Sequence, residues 1–333
     1  MTGCRTMANT RNVRMTDVLP DVLRYAAAVC VAALLFTANS LTPAQTPIKV
    51  LLITGQSNRY HNWEVSSPIV KRWLDGSRRF VVTVATTPPK GTTPNQDMSS
   101  FAPRFSDYQA VVLDYEGFEF APPVKQAFVD YVRNGGGLVV LHAADNAFPG
   151  WPEYNEMIGV GGWGGFTPGY SNRTQADGPK IRWRDGGMVT DSVTAGTAQH
   201  PSPHDFLITN RASDHPIMKG LPPAWLHAND ELYSNLRGPA KNVTILATAM
   251  APTSMPNGTG EHEPIIMAIS YGKGRIFHDT LGHVGATQKE PILAMNSVDY
   301  IVLLQRGTEW AATGSVTIPV PGDFPTAAKT SIR

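Results

Sequence analysis

Three histidines and one glutamate stand at positions where they could transfer protons. His61 lies in a polar loop, His142 directly follows an apolar run, Glu231 belongs to the segment NDELY, and His283 ends the segment HDTLGH. Histidine changes its charge near neutral pH, so it can serve both as a general acid and as a general base. We therefore predict that these four side chains form a catalytic cluster.

A divalent metal ion is a second use for the same residue types. Two or three imidazoles with a carboxylate are a common ligand set for zinc and related ions. The chain has no tight ligand spacing of the kind H-x-x-x-H, and ligands gathered from separate loops cannot be identified by spacing. No cofactor is therefore certain from the sequence, and a divalent metal stays an open alternative.

Aromatic and acidic side chains close to these positions are typical of a carbohydrate site. The flat face of an aromatic ring packs against the C–H groups of a sugar, whose hydroxyl groups bond to polar side chains. We predict that Trp63 and Trp151 stack on a sugar. The other candidate substrate-binding residues are Asp145, Asp230 and Tyr233. In an extended segment Asp230 and Glu231 would point to opposite sides, so we expect Glu231 to face the cleft.

An alternation of predicted strands and helices must position these residues. Continuous apolar runs predict strands at 48–54, 79–86, 108–115 and 137–142, and helical spacing predicts helices at about 64–75 and from Pro122 to the glycines at 135–136. This alternation favours an α/β fold with a parallel sheet flanked by helices, in which ligands bind at the carboxyl ends of the strands. His142 stands at one such end, and His61 follows another.

The second half of the sequence adds shorter strands. Residues 180–190 predict a hairpin, and further strands are predicted in the segments DFLIT, VTILATAM, PIIMAIS and RIFHDTLGH. A final helix is predicted over about 291–304. The segment GVGGWG at 159–164 has the spelling of a dinucleotide-binding loop but lacks the strand before it and the helix after it. Nucleotide binding is therefore not expected.

The N-terminal pattern predicts export. Four arginines precede an apolar run at 25–36, and small residues lead to a cleavage site after Ala44, which is the pattern of a secretory signal peptide. The run is shorter than the roughly 20 residues of a membrane span, although a membrane-anchoring helix stays an alternative. The predicted regions are a signal peptide at 1–44, an α/β domain at 45–314 and a Pro-rich tail at 315–333 that adds little. The processed chain would be periplasmic or secreted, without a membrane span.

Composition narrows the partner and the mechanism. The formal net charge is +1 and 17% of the residues are charged, which argues against nucleic acid and favours a small-molecule carbohydrate. The two cysteines, Cys4 and Cys30, fall inside the predicted signal peptide. The processed chain would therefore have neither a cysteine nucleophile nor a disulfide. Nothing in the sequence indicates an oligomeric state.

Five segments in order resemble the ThuA-like family, which is named for trehalose utilisation. They are LLITGQSNRYHNW, GGGLVVLHAADNAF, HDF with SDHPIMKGLP, NDELY and YGKGRIFHDTLGH, and they span about residues 48–312. The resemblance implies a flavodoxin-like fold similar to class I glutamine amidotransferases. It also implies a site built from His61, His142, Asp230, Glu231, Tyr233 and His283. Amidotransferase relatives carry a cysteine where this strand ends in His142, so glutamine hydrolysis is not expected.

The leading hypothesis is an exported enzyme of the ThuA-like type that uses acid–base chemistry on a sugar or a keto-disaccharide of trehalose-like catabolism. In this hypothesis His61 and His283 transfer protons. Glu231 acts as a base or orients the substrate, and His142 polarises a carbonyl oxygen. One alternative is a glycoside hydrolase with Glu231 and Glu116 as paired carboxylates. Another is a non-catalytic sugar-binding module.

Overall fold

The apolar runs of the sequence form a mixed sheet flanked by helices in this computed structural model. The structure describes residues 1, 3, 46–91, 96–162, 178–191 and 198–333. The strands are β1 (Ile48–Thr54), β2 (Phe80–Thr86), β3 (Ala110–Leu113), β4 (Gly137–Leu141), β5 (Lys180–Arg184), β6 (Gly187–Asp191), β7 (His204–Asn210), β8 (Ala224–Asp230), β9 (Val243–Met250), β10 (His262–Tyr271) and β11 (Gly274–Asp279). The helices are α1 (Trp63–Gly76), α2 (Pro122–Arg133), α3 (Pro152–Ile158), α4 (Leu293–Asn296) and α5 (Val298–Thr313), with 3-10 helices at Phe105–Asp107 and His142–Asn146.

The sheet has a parallel half and an antiparallel half. Its strand order is β2-β1-β3-β4-β11-β10-β9-β7-β8. The strands from β2 to β11 in this order run parallel, whereas those from β11 to β8 pair antiparallel. The hairpin of β5 and β6 joins β10 through β5. The predicted α/β, flavodoxin-like fold with β-hairpins added in the second half is confirmed.

Both faces of the parallel half are covered. Val50 and Leu52 of β1 pack into the core on one face, which is covered by α1 and α5. Leu51 and Ile53 pack into the core on the other face, which is covered by α2 and α3. A fully buried side chain of this kind stabilises the fold by about 1.5–3 kcal/mol relative to exposure. The carboxyl ends of these strands are thereby held rigidly.

Two element predictions are wrong in the second half. The final helix does not end near residue 304, because α4 stops at Asn296 and α5 then continues to Thr313. The strand β8, which leads directly into Glu231, was not predicted. In both places buried polar side chains interrupt the apolar pattern on which the prediction rested.

The Pro-rich tail belongs to the packed structure, contrary to the expectation that it adds little. The ring of Phe324 lies 5.5 Å from that of Trp225. The backbone N–H groups of Thr317 and Ile318 donate to the buried carboxylate of Glu309, at 2.7 and 3.1 Å. Because these contacts satisfy a buried charge, the tail contributes to stability.

The structure describes most of the predicted α/β domain and the tail, but little of the predicted signal peptide. Residues Pro47–Arg333 form one compact unit. The predicted signal peptide, apart from residues 1 and 3, and most of the glycine-rich segment at 159–170 lie outside the described residues. Within the residues that the structure describes, no helix combines the length and the apolar character that crossing a membrane requires.

Candidate functional site

The parallel strands bring three of the predicted histidines together. His61 follows β1, His142 follows β4 and His283 follows β11, so all three lie at the carboxyl edge of the sheet. Their ring centroids are 5.1 to 5.3 Å apart. Residues that are up to 222 positions apart in the chain therefore form one cluster, which we call the histidine cluster.

The backbone and one hydrogen bond fix the orientation of His142. Its φ is +35°, a conformation that costs about 1–3 kcal/mol for a residue other than glycine. Its Nδ1 donates to the carbonyl oxygen of Thr280 at 2.7 Å, because a carbonyl can only accept. The lone pair of Nε2 then faces the hydroxyl of Tyr233 at 2.9 Å. A neutral His142 thus presents a proton acceptor, whereas polarising a carbonyl oxygen would need a donor.

Burial keeps His142 neutral. It lowers the pKa of His142 well below the usual value for histidine, and the nearby His283 and His61 lower it further. The pKa of His283 is also lowered, to about 4, first by burial and then by the proximity of His61. Imidazoles that stay neutral at physiological pH have a lone pair available for a proton or a cation.

His61 is oriented by a carboxylate. Its Nδ1 lies 2.8 Å from Oε2 of Glu116 and donates to it, while Oε1 of Glu116 accepts from the side-chain amide of Asn58 at 2.8 Å. The Nε2 of His61 faces the hydroxyl of Tyr233 at 3.2 Å. Both oxygens of Glu116 are thus engaged, so this side chain acts as a positioning residue for His61.

Glu231 faces the histidine cluster. Its Oε2 lies 3.2 Å from Nδ1 of His283, 3.4 Å from Nε2 of His200 and 3.9 Å from Nε2 of His142. Burial raises the pKa of Glu231 to about 8, and the charge of Asp230 adds to the effect. The carboxyl is therefore protonated at neutral pH. His200 was not among the predicted residues, because it lies in a loop without a motif.

Asp230 is placed as a brace for the loop after β11. Its two oxygens accept from the backbone N–H groups of Gly282 at 2.6 Å, His283 at 3.0 Å and Glu231 at 2.8 Å. Nε2 of His227 lies 3.0 Å from Oδ2 of Asp230. Burial alone would raise the pKa of Asp230, but these bonds and the charge of His227 outweigh it and lower the pKa to about 2. The position of His283 depends on this carboxylate.

The two tryptophans predicted to stack on a sugar lie in different environments. Trp63 is partly buried and lines a narrow cleft together with His61 and Asp114. Trp151 is only 2% exposed and packs against the rings of Phe148 and Tyr154. Its type and position in the sequence fit a site, but the structure uses it in the hydrophobic core. Of these two tryptophans, Trp63 is the one that lines a pocket together with His61 and His142.

Asp145 belongs to the 3-10 helix that begins at His142, and it is fully buried. Neither of its carboxyl oxygens has a hydrogen-bond partner among the described residues. Burial raises the pKa of Asp145 well above its usual value, and the charge of Glu116 adds to this. A neutral carboxyl at this depth does not reach a substrate directly.

A cleft of about 180 Å³ opens beside Glu231 and His283. Asp230, Gln288 and Leu293 also line it. The ligand nitrogens of His61, His142 and His283 lie within 4.8 Å of one another. The site therefore combines a cleft, a buried carboxyl, a tyrosine hydroxyl and three imidazoles, which suits proton transfer and is compact enough for one metal ion.

Comparisons with known proteins agree with the resemblance found in the sequence. The sequence profile of the ThuA family, described as trehalose utilisation, matches residues 49–311. A ThuA-like protein from Parabacteroides merdae, known from a crystal structure, is 47% identical with a TM-score of 0.79, over 86% of this chain and 98% of that one. A ThuA-like protein from Bacteroides uniformis is 18% identical with a TM-score of 0.49, over 84% and 96% of the two chains. No curated protein matches the sequence.

The family match extends over the residues that form the histidine cluster. The matched range of 49–311 includes both the loop of His61 and the loop of His283. The Parabacteroides protein is similar over nearly its whole length, so the likeness concerns the complete α/β unit. The chain therefore belongs to the ThuA family.

Proposed function

We propose that this chain is an exported carbohydrate enzyme that transfers protons on a sugar bearing a carbonyl group, such as a keto-disaccharide of trehalose-like catabolism. The observation that carries the proposal is the convergence of three imidazoles, the hydroxyl of Tyr233 and the carboxyl of Glu231 in one cluster, of which Glu231 and His283 line a cleft. The description of the family as trehalose utilisation supports the sugar as substrate class. No cysteine follows residue 30, which argues against glutamine hydrolysis.

The geometry suggests how the roles are divided. Glu231 borders the cleft and touches His283, so it is the group best placed to exchange a proton with a bound sugar. Tyr233 has one hydroxyl proton and faces the acceptor nitrogens of both His61 and His142. It can therefore pass a proton between a substrate and an imidazole. Trp63 lines a narrow pocket together with His61, and it is the aromatic side chain that we propose for stacking on the sugar.

A turnover assay with matched variants tests this proposal. The purified chain is incubated with trehalose and with 3-keto-trehalose, and loss of each sugar is followed by chromatography. We expect turnover of the keto sugar, and a fall in kcat of at least about 100-fold for Glu231→Gln, in line with the loss of a proton-transferring group. The control His215→Asn changes a histidine that packs on Trp310, outside the histidine cluster, and should leave kcat unchanged.

The alternatives give other results. If calorimetry shows that the sugar binds but no turnover is seen, the chain is a sugar-binding module and not an enzyme. Turnover that Glu231→Gln leaves intact would contradict the role of this carboxyl. Hydrolysis of unoxidised trehalose at a comparable rate would point instead to a glycoside hydrolase.

Export is proposed from the N-terminal pattern. Arginines, an apolar run and a small-residue segment that ends at Ala44 support a signal peptide. Mass spectrometry of the chain recovered from its own cells should find a mature form that begins near Gln45. A mature form that begins at one of the first methionines would contradict export by this signal.

A further inference from the structure

The three imidazoles of the histidine cluster are arranged around one point. Their centroids form a nearly equilateral triangle with sides of 5.1, 5.3 and 5.1 Å. One nitrogen of each ring lies within 4.8 Å of the corresponding nitrogens of the other two. Three imidazole nitrogens this close together could share one bound cation.

Hydrogen bonds outside the triangle fix which nitrogen points inward. Nδ1 of His142 donates to the carbonyl of Thr280 and leaves Nε2 as the inward lone pair. Nδ1 of His61 donates to Glu116 and likewise leaves Nε2 inward. A carbonyl or carboxylate behind the imidazole is how proteins orient metal-binding histidines and select their tautomer. Two of the three rings therefore carry the support that a metal ligand needs.

The inward lone pair of His142 faces more groups than it can serve. Its Nε2 lies 2.9 Å from the hydroxyl of Tyr233 and 3.1 Å from Nδ1 of His283. A neutral imidazole has one lone pair, so it accepts one good hydrogen bond. The hydroxyl of Tyr233 is also shared with Nε2 of His61 at 3.2 Å. A cation among the three nitrogens would satisfy all three lone pairs at once.

We propose that Nε2 of His61, Nε2 of His142 and Nδ1 of His283 bind one divalent transition-metal ion of the zinc type. In a tetrahedral zinc site with bonds of about 2.0–2.1 Å, neighbouring ligand atoms are about 3.3 Å apart. The separation of 3.1 Å between His142 and His283 is close to this value. Imidazole is a good ligand for zinc, copper, iron and nickel, whereas magnesium and calcium prefer oxygen.

Three histidines leave a fourth position open, as in catalytic zinc sites. Oε2 of Glu231 lies 3.2 Å from Nδ1 of His283 and 3.9 Å from Nε2 of His142, so it is next to two of the three ligand nitrogens. A sugar that offers a carbonyl oxygen and an adjacent hydroxyl could bind there with Glu231 beside it. Such a catalytic use of the ion rests on the proposed function, whereas the binding of the ion rests on the imidazole geometry alone.

The test measures metal directly. The purified chain is incubated with Zn²⁺, desalted and analysed for zinc by mass spectrometry, with His61→Asn, His142→Asn and the control His215→Asn treated in parallel. We expect about one equivalent of zinc in the unchanged chain and in the control, and at least a tenfold lower content in the other two variants. X-ray absorption at the zinc edge of the unchanged chain should show three imidazole ligands. This second measurement does not depend on the folding of a variant.

Three results would overturn the metal site. The first is a zinc content below about a tenth of an equivalent in the unchanged chain. The second is a bound zinc without imidazole ligands, and the third is a bound zinc that both histidine variants retain. Because turnover is measured separately, full activity after chelation would leave the proposed function standing and remove the metal from it. Stoichiometric zinc on three histidines without any sugar turnover would support the metal site and contradict the proposed function.

Discussion

The stability of this protein should depend on pH through His227, which lies behind the site. Nδ1 of His227 is 2.8 Å from Asp299 and Nε2 is 3.0 Å from Asp230, and all three side chains are buried. Burial alone would lower the pKa of His227, but the charges of Asp299 and Asp230 outweigh it and raise the pKa to about 10. With this pKa, His227 is charged in the folded protein at pH 7. The nearby carboxyl of Asp279 has its pKa raised by burial to about 8, so it stays largely protonated at neutral pH.

A pKa that is higher in the folded chain stabilises the fold as long as the group stays protonated. The stabilisation is fully present below the unfolded value of about 6.5 and is lost as the pH rises toward 10. The difference between the two values corresponds to roughly 5 kcal/mol at low pH. By the same relation, about 2 kcal/mol of it should disappear between pH 6 and pH 8, and about 3 kcal/mol by pH 9.

Urea unfolding of the unchanged chain and of Asp299→Asn at pH 6, 8 and 9 tests this value. The variant loses the carboxylate that raises the pKa of His227 most. The unchanged chain should therefore be more stable than the variant at pH 6, and this difference in the free energy of unfolding should shrink by up to about 2 kcal/mol between pH 6 and pH 8. Asp323→Asn is the matched control, because it breaks an exposed pair with Arg333 and titrates below this range. A difference that stays constant with pH, or nitrogen NMR showing a neutral His227 at pH 7, would refute the assignment of the charge.

Two further predictions concern packing away from the site. An added Cβ at Gly307 would lie 2.2 Å from the ring of Phe277, so Gly307→Ala should cost about 1–3 kcal/mol in urea unfolding. Gly76→Ala meets nothing within 4 Å and should leave stability unchanged or slightly higher, and equal effects of both substitutions would contradict the packing argument. Deleting residues 316–333 removes the donors that bind the buried Glu309, at about 1.5–3 kcal/mol for each bond to a charged group. The deletion should lower the Tm by several degrees, and an unchanged Tm would show that the tail is dispensable.

The parallel half of the sheet could be predicted because its strands are apolar along most of their length. β8 could not, since His227 and Asp230 interrupt the apolar pattern although both are buried. The predicted end of the last helix failed for the same reason. Arg306 and Glu309 of α5 are charged but buried, because Arg306 donates to backbone carbonyls and Glu309 accepts from the tail. A pattern of hydrophobic residues cannot identify polar residues that are buried and hydrogen-bonded inside the protein.

The place of the histidines in the site could be predicted from parallel topology, but their proton states could not. The tautomer of His142 depends on the carbonyl of Thr280, which is 138 positions away. That of His61 depends on Glu116, which is 55 positions away. The role of Trp151 could not be predicted either, because an aromatic residue close to a site in the sequence can pack in the core as readily as it can stack on a ligand. Only the side-chain contacts separate these uses.

The chain of buried charges links the far edge of the sheet to the histidine cluster. Asp299 at the start of α5 accepts from Trp225 and holds His227, which in turn lies against Asp230. Asp230 then accepts the backbone N–H of His283. Burying a charge is costly unless it is paired. Each of these groups is paired by a hydrogen bond to the next one. A site that must hold several imidazoles in fixed directions depends on such supports, since the rings alone would relax. The buried polar side chains of β8 and α5 thus help to fix the position of His283 in the site.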